Sequence, residues 1–213
     1  MHLVAAQTMK LGIVSTKGGS GKSTIATHLA AWADSQGVSA GIADCDPQGS
    51  AALWHQLRKA QTPRLVQLTP DQVASFDSTG VDLLVVDSAP AHSADVRTIA
   101  DACDFVLIPT RPALFDLDGV RSAVDQVAAS HTPGAILLNA CPAGRGVGES
   151  SITIEARRAL QGSPVPVAPV SITQRAAFAH ALNSGSAVHE FEPAGKAAKE
   201  IASLWQWLLE EMQ

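Results

Sequence analysis

The run Lys17-Gly18-Gly19-Ser20-Gly21-Lys22-Ser23-Thr24 combines what phosphate binding requires. Glycines let backbone N–H groups converge on an anion without obstruction from Cβ atoms. Lys22 supplies a cation for the β and γ phosphates, and the Ser23 hydroxyl a ligand for Mg²⁺. The ordinary loop of this kind opens on a glycine where this chain has Thr16, and a second lysine, Lys17, follows at once. Two acidic segments accompany the loop. Val81 to Val86 is apolar except for Asp82 and ends in Asp87, the position from which a carboxylate holds Mg²⁺ through water. Asp44-Cys45-Asp46-Pro47-Gln48-Gly49 follows the apolar run Ala40 to Ala43. Its carboxylates sit where ligands bind in open α/β sheets, and they equally suit a turn that caps the next helix.

These groups need a scaffold that brings strand ends together. From Leu11 the chain repeats an apolar run, a turn and a helical stretch. The run LGIVS leads into the glycine-rich loop and a helix to about Ser35, with Ile25, Leu29 and Trp32 at helical spacing. Further apolar runs lie at Ala40 to Ala43, Val81 to Val86, Phe105 to Ile108, Ala135 to Leu138 and Val165 to Val170. Helices are expected near Ser50 to Arg58, Ala94 to Ala102, Leu117 to Ser130, Ile152 to Gln161, Gln174 to Leu182 and Ala194 to Met212. Near-continuous apolar strands belong to a sheet covered on both faces, so the fold expected is α/β: a mainly parallel, doubly wound sheet with helices on both sides. Residues 9–213 read as a single domain, preceded by a flexible arm over residues 1–8.

Composition narrows the classes. The 213 residues are 46% hydrophobic and carry a net charge of −5, so any nucleic-acid contact must come from a local patch. The cysteines Cys45, Cys103 and Cys141 are too scattered for a disulfide framework or an iron–sulfur motif and suit a reducing cytoplasm. No apolar run approaches the roughly 20 residues of a membrane span. The absence of tyrosine excludes tyrosine-kinase relatives with tyrosine-rich tails.

With its extra lysine the loop resembles the KGGxGK[ST] signature of the ParA/MinD family of deviant Walker-type ATPases, and the likeness extends from Met9 over nearly the whole chain. The segments 44–49 and 81–90 resemble that family's DxDPQG switch and its Walker B strand with following switch, although Ala89 stands where a proline is usual. The resemblance implies a P-loop NTPase fold, ATP or ADP with Mg²⁺, and a homodimer closed by ATP. By the same resemblance, residues 17–24, including Gly18, Gly19, Ser20, Gly21 and Thr24, hold the nucleotide. Lys17 reaches the partner's phosphates in trans, as an arginine finger does. Asp46 positions the attacking water and also belongs to the metal site with Ser23, Asp44 and Asp87. Asn139, which ends the strand from Ala135, is the adenine contact, though a strand-ending Asn is also an ordinary turn former.

Arg175 resembles the arginine that helps small ParA proteins bind DNA without sequence preference, and Lys196 and Lys199 lie on the helix beyond. A solvated charged surface is the other reading of these cations. Little precedes the first strand, so an N-terminal helix-turn-helix is not expected. Membrane cycling is not expected either, since the last helix ends in Glu210-Glu211. Its Ile201, Leu204, Trp205, Leu208 and Leu209 form one apolar face, for docking on the body or a dimer contact. The family reading is a cytoplasmic, nucleoid-associated ATPase that segregates a plasmid or chromosome and is stimulated by a ParB-like partner. The alternatives are a related ATPase positioning a protein cargo through an adaptor, such as a carboxysome or chemoreceptor cluster, a small-molecule ATP-dependent biosynthetic enzyme of the superfamily, and a nonhydrolysing nucleotide-gated module.

Overall fold

A computed structural model describes residues 8–77, 79–90, 93–145 and 148–212. Seven strands, β1 (Met9–Ser15), β2 (Ala40–Cys45), β3 (Arg64–Gln67), β4 (Leu83–Pro90), β5 (Phe105–Thr110), β6 (Gly134–Cys141) and β7 (Val167–Thr173), form one sheet in the order β3-β2-β4-β1-β5-β6-β7. Every neighbouring pair is parallel, as expected for strands buried on both faces.

Side chains alternate cleanly through the sheet. Leu11, Ile13, Leu83, Val85, Phe105, Leu107, Ala135 and Leu137 face one layer of helices, and Leu84, Val86, Val106, Ile108 and Ile136 face the other. The first layer holds α1 (Lys22–Ser35), α2 (Ser50–Leu57), α7 (Ala176–Asn183), α8 (Val188–Phe191) and α9 (Lys196–Glu211). The second holds α3 (Ser93–Asp101) and α5 (Arg121–Ser130), with α6 (Ser151–Ala159) over Leu138 and Cys141. On α9, Ile201, Leu204, Trp205 and Leu208 are buried against α1 and β7, while Leu209 stays exposed. The apolar face therefore docks on the body.

Helix α1 starts immediately after Gly21, which sits at φ 93. It stops where Gly37, at φ 84, lets Val38 N–H donate to Ala33 O over 3.1 Å and so satisfies an open end carbonyl.

Some boundaries differ from expectation. A single helix over Leu117 to Ser130 is instead two, α4 (Leu114–Gly119) and α5, meeting at Val120. The first turn escaped the pattern because Leu114 and Phe115 are 76% and 80% exposed and mark no core face. The short edge strand β3 and the single-turn α8 were too brief for a period to register. Of the expected N-terminal arm, residues 1–7 lie outside the described residues, and the Thr8 hydroxyl donates to Val81 O over 2.6 Å.

Candidate functional site

The ends of β1, β2, β4 and β5 converge where the strand order folds back on itself, with β4 between β2 and β1. The glycine-rich loop leaves β1 at this edge, and the N-terminus of α1 adds unpaired backbone N–H groups and a positive dipole end. Beside the loop opens a cleft of about 420 Å³. Its floor is Gly19, Gly21, Lys22, Ser23 and Thr24, one wall carries Asp46 and Pro90, and its far end is apolar with Leu53, Trp54, Leu57 and Leu182. An anionic end and an apolar end in one cleft suit a nucleotide.

Lys22 is almost fully buried, its Nζ donating to Lys17 O over 3.2 Å. Desolvation holds its pKa below the usual lysine value, while Asp87 and Asp46 pull it back up. Asp87 pairs in register with Asp44 of β2 across the sheet. It is 0% exposed, and among the described residues neither carboxylate oxygen has a hydrogen-bond partner. Burial pushes its pKa up to about 7. The Ser23 hydroxyl and Lys22 oppose that rise, though neither closes a bond of ordinary geometry on it, and Asp44 and Asp46 add to it. The Ser20 hydroxyl is likewise buried without a partner.

A carboxylate deprived of both water and protein donors is what an incoming cation would repair. The donors also suit Mg²⁺, which takes one or two carboxylates plus phosphate oxygens rather than a cage of protein ligands.

Asp44 is buried beside Asp87. Its Oδ1 accepts from Asp46 N over 3.1 Å and its Oδ2 from Ala52 N over 2.9 Å, so it ties the 44–49 segment to the first turn of α2. Asp46 is half-buried at the cleft, with Oδ1 accepting from Gln48 N over 2.9 Å. Asn139, expected at the adenine edge, stands behind the loop: its Nδ2 donates to Ser20 O over 2.7 Å, and a Cβ on Gly21 would overlap that same nitrogen. Lys17 turns away from the cleft onto α4. Its Nζ donates to Phe115 O over 2.5 Å and lies 3.6 Å from Asp116 Oδ1, while its stem fills the space beside Gly119.

The cations expected on DNA are not brought to the cleft. Arg175 is spent on Glu200, with Nη2 to Oε1 at 2.6 Å and Nε to the same oxygen at 3.1 Å, whereas Lys196 and Lys199 on α9 are exposed. Cys45, Cys103 and Cys141 are buried free thiols whose pKa values burial raises to about 12, 12 and 11. Sequence reasoning missed the apolar end of the cleft. Leu53 and Leu57 are a helical turn apart on α2 and more than half or half exposed, which was the available signal.

Fold and site together define a P-loop nucleotide-binding domain. Residues 11–188 match the model of the CobQ/CobB/MinD/ParA nucleotide binding domain, and the chain belongs to that family. Among curated relatives, the maintenance of carboxysome distribution protein A of Halothiobacillus neapolitanus is 26% identical over 205 residues, covering 93% of this chain and 94% of that one. The chromosome-partitioning ATPase Soj of Thermus thermophilus is 25% identical over 172 residues, 64% of this chain and 69% of that one. Among solved structures, apo McdA of Cyanothece superposes with a TM-score of 0.77 at 18% identity, covering 95% of this chain and 100% of that one. The septum site-determining protein MinD of Pyrococcus horikoshii with Mg-ADP gives 0.76 at 15% identity, over 95% and 96%. These superpositions establish the shared fold. No helix among the described residues is long and apolar enough to cross a membrane.

Proposed function

We propose that the protein is an ATP-driven positioning ATPase. It binds Mg·ATP in the cleft beside α1, pairs with a second copy, and returns to the monomer when a partner protein stimulates hydrolysis. The observation that carries this reading is the convergence of Lys22, Ser23 and Asp46 on one cleft, with the unpartnered Asp87 buried within electrostatic reach of all three. In it, the loop N–H groups and Lys22 orient the phosphates, and Ser23 and Asp87 hold Mg²⁺, which supplies charge neutralisation at the phosphate oxygens. Asp46 orients the attacking water. Asp44 positions Asp46 from below. Lys17 leaves Phe115 and Asp116 to reach the partner's phosphates. The base occupies the apolar end between α2 and α7, and Asn139 acts by fixing the loop.

The cargo reading that we favour is a protein assembly positioned over the nucleoid. The Halothiobacillus relative, matched across nearly the full length of both chains, is named for carboxysome distribution. Plasmid or chromosome partition with a ParB-like partner is the second reading, supported by the likeness to Soj. In both, the ATP dimer grips DNA without sequence preference, and doubling the exposed Lys196 and Lys199 gives it a patch that the monomer lacks.

The test is retention of random-sequence duplex DNA by the protein in ADP, ATP and a nonhydrolysable analogue at two salt concentrations. Salt-sensitive retention restricted to the triphosphate states, lost in the Lys196→Ala/Lys199→Ala double variant, is the expected result. Equal retention in all nucleotide states, or none in any, contradicts the DNA half of the reading.

A further inference from the structure

The connection between β5 and α4 brings a cation to the phosphate loop. Arg111 directly follows Thr110, the last residue of β5, and β5 is the immediate neighbour of β1, whose end opens into the loop. The next residue, Pro112, is buried and fixes the chain's exit, and the Thr110 hydroxyl lies 3.3 Å from Asp116 O across the turn. The arginine is thereby laid over the loop tip: its Nη2 stands 3.7 Å from where a Cβ on Gly19 would lie. Gly19 is held at φ +75, a left-handed conformation that favours glycine.

The guanidinium has no carboxylate of its own. Both acids of the following helix are taken, Asp116 lying 3.6 Å from Lys17 and Asp118 3.8 Å from Arg121. No hydrogen bond or ion pair engages the Arg111 side chain among the described residues, and the residue is exposed. With Lys17 turned onto Phe115, Lys22 and Arg111 are the cations left flanking the tip of the loop.

We propose that Arg111 is a phosphate-binding residue acting in cis, contacting the terminal phosphate of a nucleoside triphosphate seated on the loop. This rests on the nucleotide reading of the cleft. Arg111 and Lys22 approach the loop tip from different elements, one after β5 and one from α1, so a terminal phosphate there lies between two positive charges. The planar guanidinium suits two phosphate oxygens at once. Because it comes from the same chain, the contact is available before a second copy arrives, whereas Lys17 contributes only after leaving α4.

The experiment measures binding of fluorescent ATP and ADP analogues with Mg²⁺, at protein concentrations low enough to keep the chain monomeric. It compares the unsubstituted protein, Arg111→Ala, Arg111→Lys and Lys22→Ala. Arg111→Ala is expected to weaken the triphosphate about tenfold and the diphosphate less than about threefold. Arg111→Lys should fall between. Thermal melting of Arg111→Ala should be unchanged, since the side chain is exposed and unpaired.

Binding of both nucleotides by Arg111→Ala within twofold of normal, with Lys22→Ala crippled, overturns the proposal. An equal loss for both nucleotides removes the terminal-phosphate assignment and overturns it as well. If the unsubstituted protein binds neither analogue, or Lys22→Ala binds normally, the nucleotide reading itself fails.

Discussion

Two glycines near the cleft are constrained by particular neighbours rather than by their own flexibility. Gly21 sits at φ 93, and any Cβ there would run into the Asn139 amide that holds Ser20 O. Gly21→Ala should cost about 1–3 kcal/mol of stability from the left-handed backbone and lost hydrogen bond. It should weaken ATP binding at least about tenfold as the loop N–H groups lose their common aim. Calorimetric unfolding and nucleotide titration would check both. Gly119 carries the opposite consequence. A Cβ there would lie 2.6 Å from Lys17 Cε, so Gly119→Ala should dislodge Lys17 from α4 without unfolding a helix end that accommodates alanine. Dimerisation with a nonhydrolysable ATP analogue should then occur at lower protein concentration than normal. An unchanged dimerisation curve would mean that the Phe115 contact does not compete with the partner.

At the scale of elements, α2 is held at both ends. Asp44 takes the Ala52 N–H at its start, and Arg58 at its close reaches Glu190 with both terminal nitrogens, Gly185 O with one of them, and the face of Trp54. The Arg58 side chain is only 5% exposed, so Glu190→Gln leaves a nearly buried cation short of its counter-charge. A loss of about 2–3 kcal/mol is expected, read as a melting temperature lower by roughly 4–12 °C. His28, on α1, is fully buried. Its Nδ1 accepts from Val188 N over 3.2 Å, which fixes it as the neutral ring, and burial lowers its pKa to about 3. The unfolded chain takes up a proton near pH 6.5 that the folded chain refuses until about 3. The His28 contribution to stability therefore stands in full above pH 6.5 and falls by about 1.4 kcal/mol per unit as pH drops from there towards 3, opposed by Asp87, whose raised pKa lets the folded chain take up a proton from about 7 downwards. In denaturant titrations, the stability of His28→Gln relative to the unsubstituted protein should rise as pH drops from 6.5 to 4.5.

The elements and the site were legible to different depths. Strands β4, β5 and β6 were visible because each is a single apolar run buried on both faces, and the phosphate loop because its residues are contiguous. Strand β3 and helices α4 and α8 were hidden, being short and half-exposed. Also hidden were the contacts that set the site's present geometry: Lys17 to Phe115 spans 98 positions and Asn139 to Ser20 spans 119. The neutralisation of Arg175 by Glu200 was equally invisible, since a residue type and a spacing do not reveal which acid the fold will bring alongside.

For the whole molecule, the proposed function ties subunit number to nucleotide state. A 22.1 kDa chain holds its second lysine on its own helix, leaves Leu114 and Phe115 in solvent beside it, and carries the exposed cations Lys196 and Lys199 on α9. Sedimentation velocity is the most direct measurement of that coupling, run in ADP, in ATP and in a nonhydrolysable analogue, for the unsubstituted protein and Lys17→Ala. The account predicts a monomer in ADP, a dimer in the analogue, and a Lys17→Ala protein that binds the analogue yet stays monomeric. A monomer in every nucleotide state, or an analogue-bound dimer indifferent to the loss of Lys17, would contradict it.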